Sequence, residues 1–193
     1  MISNQLCQAP MTLVSKEGLR NAFYSALQVL GASLFIAICA QISIPLYFTP
    51  VPLSGQTFAV MLIGATMGSR KGLLSVLAYL IEGGMGLPVF SGGSMGFIDF
   101  IGPTGGYLVG FLLQVYFLGW CVERAKIFST TKTLCFLLSS CAIQLALGAM
   151  WLSHFVGAQG AFLLGVAPFI IGEVLKAIAV VTYLKYNEKN THL

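Results

Sequence analysis

Six apolar stretches, at 23–44, 54–69, 72–88, 104–122, 133–152 and 161–184, take up most of this chain of 193 residues. A helix needs roughly 20 apolar residues to cross about 30 Å of hydrocarbon. Only 8% of the residues are Asp, Glu, Lys or Arg, against roughly 25% in a typical soluble domain. So few charges cannot cover a water-facing surface of this size, so lipid must face most of the molecule. The chain reads as an all-α membrane protein with six transmembrane helices. It forms a single domain over 1–193, with an N-terminal segment at 1–20 and a tail at 185–193 outside the lipid. The second and third stretches are short, and Arg70–Lys71 lies between them. They read as two helices joined by a tight turn, with a bent pair ending below the membrane surface as the alternative.

Charge gives the orientation. Six spans put the N-terminus, the 69–72 turn, the 123–132 loop and the C-terminus on one side. That side collects Lys16, Arg20, Arg70, Lys71, Arg124, Lys126, Lys132, Lys185 and Lys189, whereas the loops near 45–53, 82–103 and 153–160 hold no Lys or Arg. Basic residues mark the cytoplasmic side, so both termini are expected there. The net charge of +4 comes from dispersed residues rather than a stripe, which excludes a nucleic-acid surface. The first 20 residues are polar and mixed, so no cleavable signal peptide is expected. The five cysteines (Cys7, Cys39, Cys121, Cys135, Cys141) contain no CxxC pair and mostly sit in apolar runs, where they read as small packing residues.

The outward loops are crowded with Pro45, Pro50, Pro52, Gly83, Gly84, Gly86, Pro88, Gly92, Gly93, Gly96, Gly102, Pro103, Gly105 and Gly106. Leu87, Val89, Phe90, Phe97, Phe100 and Ile101 make the same loops too apolar for plain solvated connectors. Irregular backbone survives near membrane depth only where protein or a water-filled cavity satisfies it. These ordered extracytoplasmic loops are therefore expected to cap a substrate pocket. A compact loop that serves helix packing alone is the competing reading.

Ionisable residues inside the spans are scarce, so each is a candidate for function. Glu173 and Lys176 are three apart in the last stretch, on one helical face. The pair offers a carboxylate acceptor and an ammonium donor to a polar ligand, or else it only stabilises packing. Gln41, Ser43, Ser54, Gln56, Asp99, Thr104, Tyr107 and Gln114 lie towards the outward ends. Glu82 reads as a solvated loop charge. His154 has no second histidine or acidic neighbour and is not expected to hold a metal. No G-x-x-x-x-G-K-[ST], nucleophile elbow or H-E-x-x-H occurs, and the glycine cluster lacks the strand–turn–helix setting of a dinucleotide site. Enzymatic activity and a resident cofactor are not expected. Transport by such a chain must draw on a gradient or on another protein's ATP.

Three strings stand out: Ala40-Gln-Ile-Ser-Ile-Pro45, followed by Val51-Pro52 and Gln56-Thr57; Gly86-Leu-Pro-Val-Phe90-Ser-Gly-Gly93; and Gly102-Pro-Thr-Gly-Gly-Tyr107-Leu-Val-Gly110. With Pro168 and Gly172-Glu173-x-x-Lys176, they resemble, in order and spread, the BioY family, the biotin-specific S components of energy-coupling-factor (ECF) transporters. The resemblance implies a compact six-helix protein of the bacterial cytoplasmic (inner) membrane. It would bind biotin near its outer face and be energised by a coupling protein (the T component) and ATPase subunits. A solitary biotin facilitator or ion-coupled carrier is the alternative, as is an S component for a related vitamin or precursor. By the same resemblance the substrate site is expected to comprise Glu173, Lys176, Tyr107, Gln56, Phe90, Thr104 and Gln41. Two residues depart from the family pattern: Glu173 stands where Asp is usual, and Asp99 is atypical. A carboxylate at 99 would repel biotin's own anion unless it points away from the pocket. S components also use small residues at four-residue spacing in the first helix to meet their partners. Ser33 and Ala37, with Ala32 and Ala40 nearby, either do this or pack within the molecule.

Overall fold

The structure, a computed structural model, describes residues 16–125 and 129–191. Helix α1 runs Lys16–Gln41, and a two-stranded antiparallel ribbon, β1 (Ser43–Ile44) with β2 (Leu53–Ser54), closes the first connection. Helix α2 runs Gln56–Gly84. A 3-10 turn at Ser91–Gly93 and the short α3 (Ile98–Ile101) lead to α4 (Gly105–Arg124), α5 (Thr130–Gly165) and α6 (Ala167–Thr191). Among the described residues, five helices (α1, α2, α4, α5 and α6) are long and apolar enough to cross a membrane. The protein is thus a multi-pass, all-helical membrane protein.

Five helices arise from six apolar stretches because α2 takes up both the second and the third. It is not straight. Gly68 has φ +78° inside it, a left-handed conformation that side chains with a Cβ rarely adopt. Beyond Gly68 the chain turns back. Gln56 Nε2 donates to the Tyr79 hydroxyl, although 23 residues of straight helix would hold them about 35 Å apart. The turn falls at Gly68 rather than at Arg70–Lys71, because the reversal needs a positive φ and glycine supplies it. The Glu123 carboxylate caps the returning half, accepting from Ser69 N at 2.7 Å and Ser69 Oγ at 2.8 Å.

A second expectation is corrected in α5. The connection expected at 153–160 is helical, broken by Gly157 alone (φ +75°), and α6 starts at Ala167 rather than 161. The segment after Gly157 also doubles back, since a Cβ on Gly165 would stand 2.6 Å from a Leu152 methyl.

Helices pack closely wherever glycines face a neighbour. A Cβ on Gly106 would lie 2.2 Å from the Trp151 Cβ, and one on Gly110 would lie 3.1 Å from the Gln144 carbonyl. This four-residue glycine spacing lets α4 and α5 approach backbone to backbone. Met61, Leu118, Leu137, Ala177 and Val180 fill the centre where α2, α4, α5 and α6 meet. Leu27, Leu30, Leu34 and Ile38 of α1, and Ile171, Leu175 and Ile178 of α6, face outward as lipid-exposed surface. Ala32, Ser33, Ala37 and Ala40 are buried instead, with Ala32 and Ala37 in the core cluster that α1 shares with α2 and α4. The small residues of α1 therefore serve internal packing, not an outer contact face.

The glycine- and proline-rich connections gather at one end. Thr49 Oγ1 donates to the Leu164 carbonyl at 2.8 Å, and Trp151 Nε1 to the Gly102 carbonyl at 2.9 Å. At the other end Lys71 Nζ donates to Gln28 Oε1 at 2.7 Å, and Leu184 packs near Val122 and Leu134. Lys126 lies outside the described residues, as do Cys7 and most of the 1–20 segment.

Gly119 is the tightest helix contact of the α2 turn, because a Cβ there would stand 2.3 Å from the Ser69 backbone nitrogen. Gly119→Val is expected to lower stability by about 1–3 kcal/mol through overpacking. Gly31→Ala, on open surface with nothing within 4 Å, should leave the melting temperature level or slightly raised. Thermal melts of both variants in detergent check this, and equal melting temperatures would contradict it.

Candidate functional site

The site is assembled from the roof downward. The loop between α2 and α4 satisfies its own backbone: Phe90 N donates to Ser94 O at 3.1 Å, Gly96 N to Gly83 O at 2.8 Å and Gly102 N to Ile98 O at 2.9 Å. Gln41 at the end of α1 ties this loop down, with Nε2 at 3.3 Å from the carbonyls of Pro88 and Phe90. The Phe90 ring drops between Tyr79 and Phe100, edge-on to both. Gly83 leaves it room, since a Cβ there would overlap the Phe90 ring at 2.1 Å.

Beneath the roof sits the charged pair. Lys176 Nζ lies 2.8 Å from Glu173 Oε1, 2.7 Å from Thr57 Oγ1 and 2.7 Å from the Ser54 carbonyl. An ammonium has three protons, and this one has three acceptors from three elements: α6, α2 and β2. Thr57 Oγ1 in turn donates to Glu173 Oε1 at 2.7 Å. Glu173 Oε2 meets only the Cys141 thiol, at 3.5 Å, a weak donor. Glu173 is 4% exposed, so this oxygen is shut off from bulk solvent with only a weak donor beside it.

A cavity of about 230 Å³ lies between the pair and the roof. Val51, Leu108, Phe111, Leu145 and Phe169 form apolar walls. Its polar edge holds Ser54, Gln56, Thr57, Ser91, Ser94, Asp99, Thr104, Tyr107, Gln144, Glu173 and Lys176. Most of these polar groups bond to the protein: Ser54 Oγ to Gln56 Oε1 at 2.9 Å, and the Tyr107 hydroxyl to the Gly165 carbonyl at 2.8 Å. Ser91 Oγ, Asp99 Oδ2 and Gln144 Oε1 are buried with no partner. Buried polar atoms of this kind are few in native proteins and mark places where a further group completes the bonding. Burial pushes the Asp99 carboxyl above its ordinary range, and a hydrogen bond with the Ser94 side chain works against that shift.

Six of the seven residues expected at the site line this cavity: Glu173, Lys176, Tyr107, Gln56, Phe90 and Thr104. Gln41 does not. Its amide holds the roof from behind, so its place is structural. Asp99 does not point away, as a pocket for an anion would require; it lines the cavity. Glu82 is also corrected, since it accepts from Ser33 Oγ at 2.5 Å and bridges α2 to α1 rather than hanging in solvent. Sequence reasoning missed Thr57, Gln144 and Phe169. Thr57 was within reach, because it directly follows Gln56 and sits on the same first turn of α2. Gln144 carries no motif, and only the close α4–α5 packing brings it to the cavity. His154 is exposed and bonded to its own helix, and no group of three or more potential metal ligands occurs among the described residues.

The fold and site together define a class: small helical membrane proteins whose folded connections roof an amphipathic cavity crossed by one ion pair. The chain belongs to the BioY family, whose model matches residues 11–191. It is 40% identical over 169 residues to a probable biotin transporter BioY of Pyrococcus horikoshii, covering 86% of this chain and 99% of that protein. It is 34% identical over 156 residues to the biotin transporter BioY2 of Lactococcus lactis, covering 80% and 84%. It is 36% identical over 158 residues to the biotin transporter BioY of Thermotoga maritima, covering 78% and 89%. Its structure is similar to a crystal structure of the S-component for biotin from an ECF-type ABC transporter. That match has a TM-score of 0.80 at 28% identity, over 88% of this chain and 93% of that one. The relatives are transporters, not enzymes.

Thr57 is the hub that both accepts from Lys176 and donates to Glu173. Thr57→Val keeps the shape and removes both bonds. The variant is expected to lose about 1–3 kcal/mol of stability, because a half-buried ammonium is left one acceptor short and Glu173 loses a donor. A thermal melt within one degree of the parent would contradict this reading of the network.

Proposed function

We propose that this protein captures biotin in the roofed cavity and delivers it across the cytoplasmic membrane, driven by partner coupling and ATPase subunits. One observation carries the reading: the cavity pairs an apolar wall with a charged and acceptor-rich edge dominated by Glu173 and Lys176. Biotin has the complementary build, an apolar ring and valeryl chain with a ureido group that offers two N–H donors and one carbonyl. Relatives named as biotin transporters and a structural neighbour described as a biotin S-component support the same substrate.

The hydrogen bonds assign roles. Lys176 already has its three protein acceptors, so it chiefly fixes Glu173 and Thr57 and anchors the β1–β2 ribbon. Glu173 Oε2 has spare acceptor capacity and takes a ureido N–H. The remaining cavity residues, Tyr107, Gln56, Phe90 and Thr104, shape the wall and roof rather than supply charge. With α2 folded as a hairpin, the distribution of basic residues supports a cytoplasmic position for the 68–71 turn and both termini. The cavity then opens towards the outer face, where the vitamin arrives.

Purified protein in detergent is expected to bind biotin and to melt at a higher temperature with it, and not with thiamine or riboflavin. Glu173→Gln and Lys176→Ala are each expected to weaken biotin binding at least about tenfold, equal to about 1.4 kcal/mol. Unchanged affinity in both variants would remove the site assignment. ATP-free liposomes holding this chain alone should take up no biotin, and uptake there would favour a solitary carrier.

A further inference from the structure

The charges around the cavity do not balance an anionic ligand. Its acidic lining residues are Asp99 from α3 and Glu173 from α6, and its one cation among the described residues is Lys176. Lys176 is bonded to Glu173 and has two further protein acceptors, so Asp99 is left without a cation. Its Oδ2 is buried with no partner among the described residues. The neighbouring elements supply no further cation among the described residues, and the Ser91 hydroxyl, buried without a partner, is a neutral donor at the cavity. From α2 come Tyr79 and Glu82, the latter bonded to Ser33; from α4 comes Tyr107, whose proton goes to the Gly165 carbonyl; and α5 lines the cavity with the neutral Gln144 and Leu145. The charged residues of α1, Glu17 and Arg20, lie near the opposite end of that helix. A ligand carboxylate entering here sets a second negative charge beside a carboxyl group that has no cation to offset it, which is unfavourable.

Resting on the biotin-binding reading above, we propose that Asp99 is a specificity-determining residue that makes capture of the vitamin take up one proton. The proton comes from bulk solvent and sits between an Asp99 carboxyl oxygen and the ligand's carboxylate, as an O–H···O bond in which no other bond forms or breaks. The protein thereby selects for a ligand tail that enters neutral or brings its own donor. An uncharged amide tail meets Asp99 Oδ2 directly and needs no proton.

The test compares biotin with biotinamide on the full-length protein in detergent, by calorimetric titration between about pH 6 and pH 8. Biotin affinity is expected to fall by about tenfold for each unit of rising pH, the linkage limit for one proton, while biotinamide affinity stays level. Heats measured in buffers of different ionisation enthalpy should count close to one proton taken up with biotin. Asp99→Asn offers a neutral amide in the same shape, so its biotin affinity should lose the pH slope and exceed the parent's at the alkaline end. A flat profile for biotin on the parent protein overturns the proposal. So does an Asp99→Asn variant that keeps the slope, or one that binds both ligands more weakly, which would put Asp99 on the ureido group instead. If neither ligand binds the parent at any pH, the biotin reading itself falls and the proton with it; tight biotinamide binding beside slope-free biotin sinks the proton alone.

Discussion

The ammonium of Lys176 is the point on which the rest of the structure turns. A charged group within a lipid-embedded fold is tolerated only when each of its protons finds an acceptor. Here those acceptors come from Glu173, Thr57 and the Ser54 backbone, at 2.7–2.8 Å. Each is fixed by a different element, so the requirement of one side chain locks α6, the start of α2 and the entrance ribbon into one arrangement. The cavity lies against that junction. The pair therefore serves both the fold, through these three bonds, and the cavity that both residues line.

Glycine does in the helices what lysine does at the junction. Gly68 and Gly157 each reverse a helix in one residue, so the chain needs no polar loop at membrane depth. The halves of α2 are each shorter than a full span, yet Gln56 and Tyr79 close the hairpin between them at its open end. The Tyr79 hydroxyl passes the bond on to the Val89 carbonyl at 3.1 Å, carrying the hairpin's geometry into the roof. The backbone of the roof is largely satisfied within itself. Two of its side-chain oxygens, Ser91 Oγ and Asp99 Oδ2, are buried without a partner, and both residues line the cavity.

The sequence made some of this legible and hid the rest, for physical reasons. Apolar length exposes the membrane-spanning helices, because lipid imposes it on composition, although two of the six stretches turn out to share one helix, α2. The Glu173–Lys176 pair was visible because charge within a span is rare. The turn at Gly68 was misplaced by two residues, since Arg70 and Lys71 mark the membrane surface while the reversal itself needs a positive φ. Gly157 was hidden within a helical run whose apolar pattern continues on both sides of it. Gln41 and Thr57 were confused in importance for a related reason. A motif names a neighbourhood, but which amide faces the cavity depends on side-chain reach, and Gln41 reaches the roof carbonyls first.

What distinguishes the cavity chemically is an excess of acceptors. Asp99 Oδ2 and Gln144 Oε1 are unpartnered on residues that line it and Glu173 Oε2 meets a weak thiol donor, while the ammonium, the Thr57 hydroxyl and the Tyr107 hydroxyl already donate to protein, and the Ser91 hydroxyl is left as an unpartnered donor. A space of this kind discriminates by donors, because a ligand without them leaves several buried acceptors unmatched at once. A ureido ring brings two N–H groups and answers that demand. A carboxylate brings none. The same lining that favours one end of biotin therefore disfavours the other, and it is at Asp99 that the mismatch is concentrated.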